Sequence, residues 1–386
     1  MNTRLARWLA PIMFFMICMA LFACSKPADE PTPPAMLSAT DVIPSPQPTA
    51  TMPPSPIPPT PTPIRPVIAQ DNIWDLKPLY TFSMLGNIIR AVALDPSGAF
   101  LAGITGGNSQ GLDHRLRLWS TGTGELIAQS AEFGVDTWDV AFNPRGDSLA
   151  VGLHDGRVVL YSVPELDWIT SLSHAGQVNS VAFSPDGTYL AAGVAESEGG
   201  VIYLWNVDQG VLVRRSWAHP YSAPSVTFSP NEQYLASGAV DRSVKIWQVS
   251  NGQLIRTLDQ AGQGTSVRFS ADNHWLGSAM CAQSTTGYKC IDGQVWLWNV
   301  GEWSLEKKLT GPVDWVESLA FSGDGSLVAG GGRDFSIYLW DRSSGSLLRN
   351  VIGHQGVVDA LDISLDGRFL ASGASDESVI LWAITP

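Results

Sequence analysis

Short runs in which apolar residues alternate with polar or small ones fill the chain from about residue 90 onward. The runs "TYLAAG" (188–193) and "QYLASG" (233–238) are two examples. Such alternation predicts β-strands. A turn phrase such as "FSPDG" (183–187) precedes each run, and its proline and glycine favour a tight turn. The pattern therefore predicts many short strands joined by tight turns.

The turn phrase occurs seven times, and each occurrence is followed by a strand phrase that ends in an aromatic anchor residue. Neighbouring anchors are 42, 44, 42, 51, 42 and 42 residues apart. Seven repeats of this period, built from strands and turns, predict seven sheets arranged radially in an all-β propeller. The anchors are Trp119, Tyr161, Trp205, Trp247, Trp298, Trp340 and Trp382.

These repeats resemble the WD40 family of β-propellers, and the resemblance covers residues 70–386. In the family, an aspartate six residues before the anchor caps the turn between the second and third strands of a blade. Six of the seven repeats have it, and the third has Gly199 instead. The resemblance implies a scaffold but names no partner, because one fold serves many functions. The six aspartates are Asp113, Asp155, Asp241, Asp292, Asp334 and Asp376.

The resemblance also implies two structural tetrads, in which the aspartate bonds a histidine that is linked to a serine and to the anchor tryptophan. A chain of Asp, His and Ser is similar to a catalytic triad. Its repetition around a propeller favours a structural role, since buried polar groups must be paired. The third repeat has His174 and Trp205 without the aspartate, and the other four lack the histidine, so these blades are expected to be tied less tightly. The tetrads are His219, Ser237, Asp241 and Trp247, and His354, Ser372, Asp376 and Trp382.

The last repeat ends one strand short of a complete blade, at "LWAITP" (381–386). The segment "LKPLYTFSML" (76–85) precedes the first repeat, and part of it matches the outer-strand phrase "LIRTL" (254–258). We therefore expect the N-terminal segment to close the last blade and to remove an exposed edge. Trp74 and Trp382 both fit one position in that blade. We favour Trp382, with Trp74 packed at the junction with the preceding linker.

Three repeats are longer than the others, and their extra residues are expected in the loops between the second and third strands, at 105–114, 195–200 and 280–293. These loops share one rim of a propeller, the top face, and insertions on one side predict a binding surface. The alternative is that these insertions are sequence changes that surface loops tolerate and that have no role in binding. The longest insertion contains Cys281 and Cys290, which outside the cytoplasm are expected to form a disulfide. This loop offers too few ligands for a metal.

The top rim should also carry the residues just before each innermost strand and those in the turns that follow the second strand. Indole rings set among carboxylates there make a plausible contact surface for a peptide or a sugar. Packing of each tryptophan over its own blade is the alternative. The candidate partner-binding residues are Asp136, Trp138, His154, Trp315, Glu317, Arg333 and Asp359.

The N-terminus has the features of a secretory signal peptide. Arg4 and Arg7 precede an apolar run (8–23) that is shorter than the roughly 20 residues of a membrane-spanning helix. The residues before Cys24 are similar to the lipobox of bacterial lipoproteins, in which the cysteine receives lipid (palmitate among its acyl chains) and the peptide is cut before it. An uncleaved membrane helix is the alternative. We therefore predict a signal peptide (1–23) and lipidation at Cys24.

Residues 25–69 contain 15 prolines, no glycine and no aromatic residue. Such a segment cannot bury enough apolar area to order itself, so it should stay extended as a linker. The predicted organisation is a signal peptide (1–23), a lipidated cysteine with a disordered Pro-rich linker (24–69) and a seven-bladed propeller (70–386).

Composition limits the partners. The chain has 23 Lys+Arg against 36 Asp+Glu and a formal net charge of −13, which argues against nucleic acid and against an anionic membrane surface. None of the catalytic motifs H-E-x-x-H, G-x-S-x-G or the P-loop is present in the sequence. We therefore expect no enzyme, no cofactor and no metal.

The sequence as a whole predicts a monomeric lipoprotein of the cell envelope, outside the cytoplasm, that touches the membrane only through its lipid. It would bind a protein or peptide through the top rim without catalysis. A carbohydrate-binding module is one alternative, and it would need exposed indoles at Trp138 or Trp315. An enzyme with a rim site is another, and it would need two titratable side chains within hydrogen-bond reach in one pocket.

Overall fold

The structure, a computed structural model, describes residues 65–84, 88–106, 113–220, 225–285 and 289–385. In this part of the chain the strands form seven antiparallel sheets of four strands each. The innermost strands of neighbouring sheets pack side by side around a central channel. The all-β, seven-bladed propeller predicted from the repeats is therefore confirmed.

Each blade consists of four strands, lettered a to d from the channel outward. Blades 1 to 4 contain, in that order, β2 (Ile88–Leu94), β3 (Phe100–Gly106), β4 (Leu116–Ser120), β5 (Leu126–Gln129); β6 (Thr137–Phe142), β7 (Ser148–Leu153), β8 (Arg157–Ser162), β9 (Trp168–Ser173); β10 (Gln177–Phe183), β11 (Tyr189–Glu196), β12 (Gly199–Asn206), β13 (Val211–His219); and β14 (Ser225–Phe228), β15 (Tyr234–Gly238), β16 (Ser243–Gln248), β17 (Leu254–Asp259).

Blades 5 and 6 follow the same order, and blade 7 takes its outer strand from the other end of the described chain. Their strands are β18 (Gln263–Phe269), β19 (Trp275–Ser284), β20 (Cys290–Asn299), β21 (Leu305–Leu309); β22 (Val316–Phe321), β23 (Leu327–Gly332), β24 (Ser336–Asp341), β25 (Leu347–Ile352); and β26 (Val358–Ile363), β27 (Phe369–Ala374), β28 (Ser378–Ile384), β1 (Leu76–Ser83). A short 3-10 helix, Ile73–Asp75, precedes β1.

The propeller closes between β1 and β28. The two strands pair antiparallel from Leu76 opposite Ile384 to Ser83 opposite Ser378. Trp382 is 1% exposed and fills the anchor position of blade 7, whereas Trp74 is 68% exposed. The expectation that Trp74 packs at the junction was therefore wrong. Its ring projects from the 3-10 helix to the surface, with the guanidinium of Arg349 at 5.6 Å.

Strands b and c are buried on both faces. Every residue of β7, β23, β24 and β27 is buried, because each blade is covered by a neighbour on either side. Seven hydrophobic clusters result, one between each pair of adjacent blades. Small residues at these positions, such as Gly152 of blade 2 against the side chain of Val178 in blade 3, let neighbouring blades approach. The core is thus divided into layers that radiate from the channel.

The insertions of blades 3 and 5 lengthen strands b and c instead of forming loops. β11 and β12 have 8 residues each, and β19 and β20 have 10. Cys281 and Cys290 lie on the paired strands β19 and β20, buried, and a disulfide joins them across the hairpin with their Cα atoms 5.8 Å apart. The expectation that these extra residues form loops was wrong, because cross-strand pairing continues into the insertion. Part of the blade 1 insertion, 107–112, lies outside the described residues.

The b–c turns and the d–a connections lie on the top face, and the a–b and c–d turns lie on the bottom face. The described chain enters at the bottom, where the buried Ile68 donates its backbone N–H to Gly367 O in the a–b turn of blade 7 at 2.8 Å. Across the described ranges, we find no helix with the length and apolar character needed to cross a bilayer.

Candidate functional site

The candidate site is a cavity of about 480 Å³ at the top end of the channel, here called the mouth cavity. All seven a strands contribute to its wall. Within the described ranges, the residue four positions before the end of strand a faces the opening in six blades, since side chains at that position share one level of the propeller. These residues are Arg90, Trp138, Asn179, Thr265, Glu317 and Asp359.

Two arginines stack on two tryptophans at this rim. The guanidinium of Arg90 lies 4.8 Å from the ring centroid of Trp138, and that of Arg333 lies 5.1 Å from the ring of Trp315. Arg333 also donates its Nε–H to Glu317 Oε1. Such stacking holds a cation in place while leaving its hydrogen-bond donors directed outward. Blades 6, 1 and 2 therefore present fixed charges and indoles around the opening.

Asp359 is a carboxyl in a strongly perturbed environment at the mouth. Burial raises its pKa, and the nearby Glu317 carboxylate raises it further, while Arg90 and Arg333 oppose both effects. The resulting pKa is about 7, so the charge of this group changes near neutral pH. Perturbed carboxyls of this kind often mark functional sites.

The structure brings together some of the predicted rim residues and separates others. Trp138, Glu317 and Asp359 line the mouth cavity. Arg333 reaches it through its bond to Glu317, and Trp315 lies behind Arg333. Asp136 and His154 do not line the cavity. Asp136 instead lies beside His114 of blade 1, with Nδ1 to Oδ1 at 3.5 Å, and His154 is exposed at the next turn.

A second set of charges lies deeper in the channel and was missed from the sequence. Arg268 lines both the mouth cavity and a lower cavity of about 270 Å³, whereas Asp139 lines the mouth cavity and Asp362 lines the lower one. Burial raises the pKa of Asp139 and that of Asp362, the latter to about 6, while Arg268 lowers both. The signal was a charged residue within strand a, at "TWDVAF", "SVRFS" and "ALDIS", where the other repeats have small residues.

The tetrad residues of blades 4 and 7 lie together in hydrogen-bonded chains. In blade 4, Trp247 Nε1 donates to Ser237 Oγ at 3.1 Å, and His219 contacts Ser237 Oγ through Nε2 at 2.8 Å and Asp241 through Nδ1 at 2.9 Å. Burial lowers the pKa of His219, and the paired aspartate only partly opposes this. The corresponding network in blade 7 joins His354, Ser372, Asp376 and Trp382.

Blades without the histidine hold their capping aspartates by other means. Asp155 pairs with Arg157, Asp113 pairs with Arg115 and Arg117, and Asp334 accepts from Tyr338 Oη at 2.6 Å. The tetrads face the interior of their blades, away from the mouth cavity, which agrees with the structural role implied by the resemblance.

The described residues contain no candidate metal site. In the described stretches, no group of three or more His, Cys, Asp or Glu side chains is arranged to hold a metal ion. Cys24, the signal peptide (1–23) and residues 24–64 of the predicted linker lie outside the described residues.

Comparison with known proteins identifies the repeats. Residues 167–206, 212–248, 303–341 and 345–383 match the family model described as "WD domain, G-beta repeat". Each matched segment begins at or near strand d of one blade and ends at strand c of the next. This offset explains why β1, which begins the first such unit, belongs to blade 7.

Several curated proteins are similar to parts of the chain. WD repeat-containing protein SL1-17 of Schistosoma mansoni is 29% identical over 181 residues, which cover 47% of this chain and 57% of that protein. Echinoderm microtubule-associated protein-like 2 of Rattus norvegicus is 35% identical over 103 residues, which cover 26% of this chain and 15% of that protein. Periodic tryptophan protein 2 of Arabidopsis thaliana is 30% identical over 191 residues, which cover 49% of this chain and 20% of that protein. The chain thus spans between 15% and 57% of the length of these three relatives.

The similarity covers only part of each of these relatives. WD40 propellers act in general as protein-interaction scaffolds. Four matched repeats and seven four-stranded blades closed by an N-terminal strand show that this chain belongs to the WD40-repeat family of β-propellers.

Proposed function

We propose that this protein is a non-catalytic binding module that captures a protein or peptide partner at the mouth cavity and the surrounding top rim. The mouth cavity itself carries the proposal. It is a concave site formed by all seven blades, with an indole, three carboxyls and two arginines lining it. Aromatic residues and arginines are the residue types that dominate binding energy at protein interfaces.

The cation–indole stacks favour a polypeptide over a sugar. Sugar-binding sites use the open face of an aromatic ring, but Arg90 covers one face of Trp138 and Arg333 covers one face of Trp315. The same stacks leave guanidinium and carboxyl groups directed at the opening, which suits hydrogen bonding to a peptide backbone and its side chains.

A binding role also fits the chemistry better than a rim enzyme does. His154 and Asp136 do not line the cavity, and the Glu317 carboxylate is engaged by Arg333. The described groups at the mouth are therefore arranged to contact a ligand through charge and shape. They are not arranged as a nucleophile paired with a base.

We propose further that a lipid on Cys24 holds this module at the outer side of a membrane, with residues 24–64 as an extended tether. The lipobox-like residues before Cys24 and the proline-rich composition support this proposal. Metabolic labelling with an alkynyl palmitate should mark the wild type and leave a Cys24→Ala variant unlabelled. Labelling of both would contradict the anchor without affecting the binding site.

The binding proposal is tested by crosslinking and pull-down from the native envelope. We expect a partner protein to be recovered with the wild type and lost with a Trp138→Ala, Trp315→Ala double variant. Trp168→Ala is the matched control, because Trp168 is an exposed tryptophan on the outer strand β9. Recovery of the same proteins with all three forms, at equal thermal stability, would show that the top rim is not the binding site.

A further inference from the structure

In the described part of the chain, the mouth cavity contains two arginines without a carboxylate partner, although Arg268 donates an Nη1–H to Val267 O at 3.1 Å. Arg90 and Arg268 both line it, and neither has a carboxylate within ion-pair distance among the residues described. The four short undescribed stretches inside the propeller, 85–87, 107–112, 221–224 and 286–288, contain no Asp or Glu in their sequence. The buried Nε1 of Trp138 likewise has no hydrogen-bond partner within the described ranges.

Two of the three described carboxyls that line the same site, Asp139 and Glu317, are engaged. Asp139 accepts from Ser180 Oγ at 2.8 Å and from the backbone N–H of Val181 at 2.9 Å. Glu317 accepts from Arg333. Donors left without acceptors in a partly desolvated cavity are unfavourable until a ligand supplies acceptors. The imbalance points to a ligand rich in acceptors and carrying negative charge.

We propose that the mouth cavity binds one carboxylate of the partner polypeptide, with Arg90 as its principal ligand and Arg268 below it. This inference rests on the proposed function and names the chemical group that the partner presents. A guanidinium matches a carboxylate with two parallel N–H···O bonds, and the stack on Trp138 orients Arg90 in advance. The carboxylate belongs either to an Asp or Glu side group of the partner or to its free C-terminus.

Asp359 makes this binding dependent on pH. The groups that face it are Arg90 on β2, Glu317 on β22 and Arg333 in the turn after β23. Below a pKa of about 7, Asp359 is protonated and can donate to a bound carboxylate. Above that pH it is an anion beside Arg90, so it competes for the guanidinium and repels the ligand. Binding of a carboxylate is therefore expected to weaken as the pH rises through 7.

The test uses the full-length protein in detergent micelles and follows the indole N–H resonance of Trp138 by NMR, assigned by its loss in a Trp138→Phe variant. The probes are acetylated and amidated heptapeptides of glycine and serine with one central Asp, Asn or Lys. A fourth peptide has the central Asn and a free C-terminal carboxylate. Comparison of the first and the fourth peptides distinguishes a side-chain source of the carboxylate from a terminal one.

We expect the Asp peptide, the free-carboxylate peptide or both to shift the Trp138 resonance, and the Asn and Lys peptides to leave it unchanged. An Arg90→Gln variant should bind the Asp peptide about 10- to 100-fold more weakly, since a hydrogen-bonded charge is lost. Arg256→Gln is the matched control, because Arg256 is an exposed arginine on the outer strand β17. The affinity should fall about tenfold between pH 6 and pH 8, and Asp359→Asn should abolish that fall.

Stronger binding of the Lys peptide, or equal binding of the Asp and Asn peptides, would overturn the carboxylate assignment. In that case loss of the partner with the Trp138 and Trp315 variant would still support the top rim as the binding face. Conversely, if the pull-down shows no dependence on the rim while the Asp peptide binds with the expected pH profile, the carboxylate site stands and the proposed partner surface falls.

Discussion

At the residue scale, the tetrads work only if their histidines are neutral. Trp247 donates to Ser237, so the serine hydroxyl is left to donate to Nε2 of His219, while Nδ1–H of the histidine donates to Asp241. Each group then has a partner. Burial lowers the pKa of His219, which keeps the required neutral form at neutral pH. The hydrogen-bonded tetrad ties the d–a connection that precedes blade 4 to the b–c turn and to strands b and c of the blade.

Blade 3 shows what happens without the serine. Ala192 occupies the position of Ser237, and Trp205 Nε1 bonds directly to His174 Nε2 at 2.9 Å. The tryptophan and the histidine therefore keep a partner without the hydroxyl that links them in blade 4.

Substitutions in the blade 4 tetrad should therefore differ in cost. His219→Ala should lower the free energy of unfolding by about 2–4 kcal/mol, because it leaves Asp241 and Ser237 partly unpaired. Ser237→Ala should cost only about 1 kcal/mol, since a direct Trp–His bond can form as in blade 3. Urea unfolding measures both, with the exposed His154→Ala as control, expected within about 0.5 kcal/mol of wild type. Equal costs for the two tetrad variants would contradict this account.

At the element scale, β1 joins the N-terminal part of the described residues to the last blade. Leu76 at its start is 1% exposed and packs in the cluster between blades 6 and 7, together with Ile68 and Ile73. The strand also covers the backbone edge of β28, which would otherwise be open to pairing with another polypeptide.

Loosening β1 should therefore destabilise the whole propeller. We expect Leu76→Ala to lower the free energy of unfolding by about 2–4 kcal/mol, as for other large-to-small core changes. Lys77→Ala is the matched neighbour, because Lys77 is exposed on the same strand, and its effect should stay within about 0.5 kcal/mol. Chemical denaturation measures both, and a Leu76→Ala variant as stable as Lys77→Ala would mean that closure does not depend on this contact.

The β19–β20 hairpin is the second distinctive element. Its disulfide links Cys281 to Cys290 next to the top face, and the d–a connection before β18 packs tightly against it at Gly262. Cross-linking so short a segment restricts the unfolded state and holds the hairpin together.

A Cys281→Ser, Cys290→Ser double variant should be less stable than the oxidised wild type by about 2–3 kcal/mol. The loss should appear as faster amide hydrogen exchange in β19 and β20, with little change in blades 1 and 2. Adding a reductant should reproduce the loss in the wild type and have no effect on the double variant. If reduction leaves the exchange rates of the wild type unchanged, the disulfide does not stabilise the hairpin.

At the scale of the whole molecule, side chains of the a strands connect several neighbouring blades around the channel. Ser180 Oγ accepts from the N–H of Val226, and Ser225 Oγ accepts from that of Val267. Asp362 of blade 7 accepts from the N–H of Leu94 in blade 1 at 2.7 Å. This last bond joins the first and last blades of the ring, and its acceptor is the buried carboxyl of Asp362.

Asp362 should respond to pH with a definite sign. Its pKa is about 6 in the folded protein and 3.8 by reference, so the folded state binds the proton more tightly. Its contribution to stability is therefore greatest below about pH 4 and is lost as the pH rises through 6. Asp362→Asn keeps an acceptor for Leu94 and removes the buried charge, so at pH 8 it should be neutral or stabilising by up to about 3 kcal/mol.

Asp362→Ala is the contrasting variant, because it removes the acceptor as well as the charge. It should be less stable than Asp362→Asn at every pH by about 1–3 kcal/mol. The urea denaturation midpoints of the wild type and of both Asp362 variants, measured at pH 5 and pH 8, test these expectations. A wild type that gains stability relative to Asp362→Asn on going from pH 5 to pH 8 would contradict the sign of the effect.

The sequence by itself determined the fold, since the signals for it are local and repeated. Strand alternation, proline–glycine turns and the 42-residue period are properties of neighbouring residues, and they recur often enough to outweigh irregular copies. The tetrads could be predicted for the same reason, since His219, Ser237, Asp241 and Trp247 lie within one repeat. The insertions were found, but their extension into paired strands was not, because pairing depends on cross-strand partners and not on length.

Only the tertiary structure decided which of the predicted rim residues share one cavity, and with which neighbours. Arg90, Trp138, Glu317 and Asp359 come from blades 1, 2, 6 and 7, and ring closure brings blades 7 and 1 side by side. Ring closure also decides that Asp359 faces Arg90 and has a pKa of about 7, and that Arg268 shares a channel with two aspartates. A pKa and an unpaired donor depend on what lies across the channel, and in this protein those neighbours are far apart in the sequence.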